Sequence, residues 1–252
     1  MYKRQSGNGG AISVYDVNAT INNSIFGGTL DTDANKAEHG GAIFFAPTLR
    51  SGSGTLTING SDFINNHATS VAGAIYQAGG TLTINGSLFD GNSSALGNGG
   101  AINTYNGEKL IIDGSKFLNN TSSGAADNYN GDGGAIYANT GQEIIIKNSY
   151  FENNIAVKSS HSNDGGAILL YGPKAEISDT EFYANKSQNS CGGAAYMITL
   201  TSIWKQVNFI DNTAANMGGA IFFEDGAGKT AEIYNSKFYG NKSGVNGGAI
   251  YL

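Results

Sequence analysis

One four-residue pattern recurs along the whole chain and constrains its fold more than any other feature: two glycines, an alanine and an isoleucine. The copies begin at Gly9, Gly40, Ala72, Gly99, Gly133, Gly165, Gly192, Gly218 and Gly247, 26 to 34 residues apart. Alanine stands third in every copy, and isoleucine stands fourth in every copy except one, where Ala195 replaces it. Self-similarity at such a period is typical of repeat architectures.

A second pattern, Phe-x-x-Asn, alternates with the first. Its phenylalanines are Phe63, Phe89, Phe117, Phe151, Phe182, Phe209 and Phe238, and an eighth, Phe26, has Thr29 where the asparagine would stand. Five residues before each phenylalanine comes a large apolar residue, which is Trp204 in one copy and isoleucine in the others. A short polar turn such as Asn59-Gly60-Ser61 separates the two.

The residues within each repeat favour β-structure. Thr55 to Ile58 and Thr81 to Ile84 alternate threonine with leucine or isoleucine, as half-buried strands do. We expect two short strands in each repeat and no helices, because no segment has apolar residues at helical spacing. Gly, at 38 residues, supplies corners that need positive φ, whereas a coiled coil or collagen would need other patterns.

A repeat of this length cannot bury its own apolar face, so the repeats must stack on one another. Stacking places each isoleucine and phenylalanine over its copy in the next coil and lines up the asparagines at a bend, where their amides can form hydrogen bonds along the stack. The sequence therefore predicts an all-β fold: a single-stranded parallel β-helix, or solenoid, of about eight coils.

The alternation of Gly-Gly-Ala-Ile with Phe-x-x-Asn, from Gly9 to Ile250, resembles the repeats of polymorphic outer membrane proteins. That family consists of autotransporter-type adhesins with a right-handed parallel β-helix passenger. The resemblance implies a right-handed helix and a monomeric rod at the outer surface of the cell envelope or outside the cell. It also implies a protein or glycan partner on a host or neighbouring cell.

The chain is expected to form one domain. Met1 to Gln5 resembles a translated sequencing-adapter scar, and residues 6–252 are assigned to a single β-helix domain. Because the repeats begin and end without a polar capping segment, we expect this domain to be a fragment of a longer protein, truncated at both ends.

Charge and composition exclude several classes of partner. The formal net charge is −6, and no cluster of lysine and arginine is present, so nucleic acid is not an expected partner. Cys191 is the only cysteine, which excludes an internal disulfide and a cysteine-based zinc site. The segment contains no run of 18 apolar residues, so no membrane-spanning helix is expected in it. No motif indicates a cofactor, and none is expected.

Insertions into the repeat are the first candidate site, because function in solenoids often lies on such loops. The stretches Thr121 to Asp132 and Ile155 to Asp164 are long and stand on neighbouring coils, and Gly27 to His39 is also long. The neighbouring pair offers a ligand-contact edge made of Asp127, Asn128, Tyr129, Asp132, His161 and Asp164. The alternatives are solvated loops without a function, or a calcium ion held by three of the aspartates, although no known calcium-binding spacing is present.

A row of aromatic residues is the second candidate site. It stands two residues after the invariant alanine and comprises Phe44, Tyr76, Tyr137, Tyr196, Phe222 and Tyr251. If the isoleucines face inward, this row faces outward and offers a platform for a sugar or a protein. The alternative is a buried or covered row, since the next residue is also often apolar, as at Phe45 and Leu170.

Three functions remain open. A binding role as an adhesin rod segment is the leading interpretation, and a passive spacer is the second. A polysaccharide lyase or glycosidase is the third, because such enzymes share the fold. A glycosidase requires two carboxylates at a defined separation, whereas the carboxylates here, such as Asp113, Asp179 and Asp211, are scattered one per coil. No catalytic residue is therefore assigned.

Overall fold

The computed structural model describes residues 7–47, 54–124, 131–157 and 164–252. These residues form eight coils of a parallel β-solenoid and the first strand of a ninth. Each coil begins at a copy of the Gly-Gly-Ala pattern, and its strands pair in parallel with those of the coils before and after it. The prediction of an all-β solenoid of about eight coils is confirmed.

Four rows of strands run along the stack rather than the two expected. The additional strands are those of the third and fourth rows described below. They are only two to five residues long, too short to show a clear apolar alternation, so the sequence pattern does not reveal them. Together the first and second rows form one sheet, and the third and fourth rows form a sheet each.

The first row consists of Ile12–Tyr15, Ile43–Ala46, Ile75–Ala78, Ile168–Tyr171, Ala195–Met197, Ile221–Phe223 and Ile250–Tyr251. The second row consists of Ala19–Asn22, Thr55–Asn59, Thr81–Asn85, Lys174–Ser178, Thr201–Lys205 and Thr230–Tyr234. In the fourth and fifth coils one strand serves both rows: Ile102–Asp113 and Ile136–Lys147.

The third row consists of Ile25–Gly27, Asp62–Ile64, Leu88–Asp90, Lys116–Leu118, Tyr150–Glu152, Glu181–Tyr183, Asn208–Ile210 and Lys237–Tyr239. The fourth row consists of Lys36–His39, His67–Val71, Ser93–Ser94, Thr121–Ser123, Ile155–Val157, Lys186–Ser187, Thr213–Ala214 and Lys242–Ser243. Parts of all three long stretches identified in the sequence are therefore regular strands of the coil.

The interior is filled by columns of identical side chains. Phenylalanine rings of the third row stack face to face through the stack, as Phe63 and Phe89 do with centroids 4.7 Å apart and planes inclined by 1°. The isoleucines of the first and second rows lie over one another in register and are fully buried through the middle of the stack. Trp204 occupies an isoleucine position and packs edge-on against Phe182. The predicted stacking of Phe over Phe and Ile over Ile is confirmed.

A row of buried asparagines closes the bend between the third and fourth rows. Asn92 shows the pattern: its Nδ2 donates to Asn120 Oδ1 at 3.0 Å and to the backbone oxygen of Phe63 at 2.9 Å. Its backbone N–H also donates to Asn120 Oδ1. The pattern repeats from Asn66 to Asn241, which confirms the predicted asparagine ladder.

The first coil also contributes to this ladder, through a residue that the sequence pattern does not indicate. Thr29 stands at the expected spacing from Phe26, but an insertion follows, and Asn35 takes the equivalent place. Asn35 Nδ2 donates to Asn66 Oδ1 at 2.8 Å.

Stacking also explains the glycine pair. The first glycine of each pair has positive φ, and Ala72 adopts the same conformation with φ of 62°. The second glycine lies against the next coil: a Cβ added to Gly100 would collide with the carbonyl oxygen of Gly134. Glycine therefore suits the first position because the backbone there has positive φ. It suits the second position because neighbouring coils approach too closely for a Cβ.

Lysines and glutamates alternate along the outer face of the second row. Glu143 accepts from Lys109 and Lys174 at 3.0 Å each, and Glu176 accepts from Lys205 at 2.9 Å. Lys174 Nζ also lies 3.5 Å from Glu176 Oε2, so the pairs form one chain. This chain links the fourth to the seventh coil on the surface.

Candidate functional site

The outward face of the first row carries an aromatic side chain in each coil of the structure. Successive residues of a strand point to opposite sides, so two positions of each first-row strand face outward, two residues apart. One of these two positions is aromatic in every coil. The set, called here the aromatic band, comprises Tyr15, Phe44, Tyr76, Tyr105, Tyr137, Tyr171, Tyr196, Phe222 and Tyr251.

The six residues of the band that the sequence indicated lie at the first outward position. Phe44, Tyr196 and Phe222 are 8, 4 and 8 % exposed, whereas Tyr76, Tyr137 and Tyr251 are partly exposed. Several neighbours stack on each other, as Phe44 does on Tyr76 with centroids 5.4 Å apart and Phe222 on Tyr251 at 5.2 Å. Because a stacked ring covers the face of its neighbour, these residues present ring edges to solvent more than flat faces.

A small apolar cluster covers the band toward the C-terminal coils. Tyr196 packs with Leu169, Cys191 and Phe222, and Met217 lies against the same group. Burial raises the pKa of the Cys191 thiol, so this cysteine is a buried packing residue rather than a reactive nucleophile. The end of the band near Tyr196 is thus closed by its own neighbours.

Tyr15, Tyr105 and Tyr171 differ from the rest of the band because they lie at the second outward position, where they are 46, 53 and 48 % exposed. Tyr15 lies against Phe44 with ring centroids 5.6 Å apart, whereas Tyr105 and Tyr171 stack on no aromatic ring in the described part of the chain. Tyr105 pairs with Ala78 of the preceding coil, and Tyr171 pairs with Asn139. Neither tyrosine stands at the single offset from the glycine pair that the other six residues share. An offset two residues longer, as strand periodicity allows, reaches both.

Tyr137 lies between these two tyrosines and connects them. Burial raises the pKa of Tyr137 to about 12, and Asp132, Tyr105 and Tyr171 contribute in that order. Tyr76 shows the same relation, since its pKa is raised by burial and then by Tyr105. The hydroxyl groups of the band in the third to sixth coils therefore lie within electrostatic reach of one another.

The outward strand positions around Tyr105 and Tyr171 carry no charged side chain. Besides aromatic rings, the outward positions of the first row in the first seven coils carry only Ser13, Ala46, Ala78, Asn103, Asn139, Leu169 and Ile198. The backbone N–H of Asn139 donates to Thr104 Oγ1 at 3.1 Å, which fixes the strand between the two exposed tyrosines. The face combines apolar rings with neutral hydrogen-bonding groups.

The predicted ligand-contact edge is described only in part. Asp127, Asn128, Tyr129 and His161 lie outside the described residues. Asp132 and Asp164 stand directly before glycine pairs on neighbouring coils and are 4 and 0 % exposed. Asp164 Oδ2 accepts from Ser187 Oγ at 2.9 Å, so this carboxylate is part of the packed bend rather than of an open surface.

The described part of the chain contains no cluster of side chains that could bind a metal ion. Within residues 7–47, 54–124, 131–157 and 164–252, no three His, Cys, Asp or Glu side chains lie close enough to hold an ion. The calcium hypothesis includes Asp127 and so falls partly outside those residues.

Comparisons with known proteins agree with this architecture. No curated protein and no solved structure matches the chain significantly. In the described part of the chain, no helix has the length and hydropathy needed to cross a membrane. A family model described as a right-handed β-helix region matches residues 126–252, which is half of the sequence. The chain therefore belongs to the right-handed β-helix family.

Proposed function

We propose that this chain is a rod segment of a cell-surface adhesin, of the polymorphic outer membrane protein type, and binds a ligand on a host or neighbouring cell. The observation that carries the proposal is the exposure of Tyr105 and Tyr171 on a face of a regular solenoid whose outward strand positions carry no charged side chain. Aromatic side chains are enriched at binding surfaces because they bury much apolar area and lose little entropy. An extracellular location, and a single β-helix domain spanning residues 6–252, belong to the same proposal.

The solenoid suits this role because its surface is pre-organised. The asparagine ladder and the phenylalanine stack hold every coil at a defined distance from the next. A ligand that binds across several coils therefore meets side chains whose spacing is already set, which lowers the entropic cost of binding.

Three carboxylates of the second row lack the property that a glycosidase acid requires. A general acid in a glycosidase needs a raised pKa. Hydrogen bonding to Asn148 lowers the pKa of Asp113, and hydrogen bonds from Lys174 and Lys205 lower those of Glu143 and Glu176 respectively. These three carboxylates support the coil and are unsuited to donate a proton.

Bead attachment tests the proposal. Beads carrying the purified chain are offered to epithelial monolayers, bacterial cells and surfaces coated with defined proteins or glycans. We expect attachment to at least one surface, and its loss in the double variant Tyr105→Ala/Tyr171→Ala. Tyr234→Ala/Tyr239→Ala is the matched control, because these tyrosines are 48 and 61 % exposed on other rows.

Two results would contradict the proposal. The passive-spacer alternative predicts no attachment of the wild-type chain to any surface. Equal loss of attachment in the two double variants would show that exposed tyrosines act nonspecifically and that the aromatic band is not the contact face.

A further inference from the structure

We propose, building on the proposed function, that Tyr105 and Tyr171 bind a neutral, extended, β-linked glycan that lies along the solenoid axis. Each tyrosine ring stacks on one sugar, and the two contacted sugars are separated by one other. Tyr137 and Asn139 lie between the rings and donate or accept hydrogen bonds at the intervening sugar. The proposal concerns the fourth to sixth coils, where the aromatic band is open to solvent.

The spacing of the two rings supports an extended glycan. Tyr105 belongs to the fourth coil and Tyr171 to the sixth. Neighbouring parallel strands lie ~4.8 Å apart, so two coils separate the rings by roughly 10 Å along the axis. In an extended β-1,4-linked chain, alternate sugars present the same face in the same direction, and the disaccharide repeat has a comparable length. A straight chain of sugars can therefore place every second ring on a tyrosine.

The ring faces of these two tyrosines are also available. In the described part of the chain neither ring stacks on another aromatic side chain, in contrast to Phe44 and Tyr76, which cover each other. Pyranose rings bind aromatic residues through apolar C–H groups laid against the ring face. Tyr105 and Tyr171 meet this requirement.

Charge determines which glycans fit. The outward positions of the first row around the two tyrosines carry no charged side chain, and the chain has a net charge of −6. Acidic polysaccharides need cations or arginine to offset their carboxylates, whereas a neutral glycan needs only apolar faces and hydrogen-bonding groups. The hydroxyl groups of Tyr105, Tyr137 and Tyr171, together with the Asn139 amide, supply the latter.

Calorimetric titration of the full chain with cellobiose, cellohexaose and polygalacturonate tests the inference. We expect cellohexaose to bind and cellobiose to bind at least about tenfold more weakly, because cellobiose reaches one ring only. Tyr105→Ala and Tyr171→Ala should each lower the affinity for cellohexaose about tenfold, whereas Tyr105→Phe should retain most of it. Polygalacturonate should not bind. Thermal unfolding of each variant verifies that it folds.

The inference is overturned if cellohexaose does not bind, if polygalacturonate binds as tightly, or if the alanine variants bind cellohexaose like the wild type. Bead attachment separates this failure from failure of the proposed function. Attachment to a protein-coated surface that still requires Tyr105 and Tyr171 would refute the glycan and leave the adhesin role intact. Attachment independent of both tyrosines would refute the aromatic band as the contact face and the glycan with it, whereas absence of any attachment by the wild-type chain would refute the adhesin role.

Discussion

Asn120 and Asn154 are 34 residues apart in the chain, yet the Nδ2 of Asn120 lies 2.9 Å from the Oδ1 of Asn154. The same Oδ1 also accepts the backbone N–H of Asn120, and Asn120 Nδ2 donates to the backbone oxygen of Phe89. Both asparagines are fully buried. Each asparagine side chain thus forms hydrogen bonds with both the preceding and the following coil. The distance between coils therefore depends on asparagine at this position.

Replacing Asn120 with alanine should lower the free energy of unfolding by about 3 kcal/mol or more, because several buried polar groups lose partners that water cannot replace. Chemical denaturation measures this loss. Asn119→Gly is the matched control: Asn119 has φ of 55° and an exposed side-chain bond to Asp90, and glycine accepts that conformation. A loss of similar size in both variants would show that the ladder is not the source of stability.

Ala72 tests the backbone turn at the start of a coil. It has φ of 62° at a position where the other copies of the pattern have glycine, so its backbone is strained. Ala72→Gly relieves that strain but removes a fully buried methyl group and adds freedom to the unfolded chain, so we expect the free energy of unfolding to change by less than about 1 kcal/mol. Ala74→Gly removes an equally buried methyl group with no positive φ to relieve, and should lower the free energy of unfolding more. Thermal unfolding measures both changes, and an equal loss in the two variants would contradict the assigned conformation of Ala72.

The ion pairs of the second row should make stability depend on pH in the acid range. Hydrogen bonds from Lys174 and then Lys109 lower the pKa of Glu143 below its ordinary value of 4.5. A carboxyl with a lowered folded pKa contributes stability that is present above pH 4.5 and is lost as the pH falls through the folded pKa.

Glu143→Gln should therefore flatten the decline in unfolding midpoint below pH 4.5 and lower the midpoint slightly at pH 7, by less than Asn120→Ala does. Glu108→Gln, outside the ion-pair chain, is the control. An identical acid profile for wild type and Glu143→Gln would show that these pairs contribute nothing to stability.

The fold can be predicted from the sequence because residues that stack in neighbouring coils of a solenoid occupy equal positions in successive repeats. The repeat of Ile, Phe and Asn at fixed offsets was enough to predict which residues lie over which, and Phe89 over Phe117 is an example. Asn35 was missed because an insertion breaks the offset, and the ladder depends on position after folding rather than on spacing from Phe26. The strands of the fourth row are only two to five residues long, too short for an apolar alternation to reveal them.

The candidate site was less predictable. Ile43–Ala46 is buried on both sides, so periodicity could not show which of its residues faces outward. The aromatic band shifts by two residues at Tyr15, Tyr105 and Tyr171, where Ser13, Asn103 and Leu169 occupy the first outward position. One column of the repeat therefore contains the more covered rings and leaves out the most exposed ones, because exposure depends on neighbouring side chains and not on offset.

Native electrophoresis through gels containing hydroxyethylcellulose is the most direct measurement of the central claim, that Tyr105 and Tyr171 form the contact face for a neutral β-linked glycan. The account predicts that the polymer retards the wild-type chain and the Tyr234→Ala/Tyr239→Ala control, and that Tyr105→Ala/Tyr171→Ala migrates as it does without polymer. Equal retardation of all three proteins, or retardation of none, would contradict it.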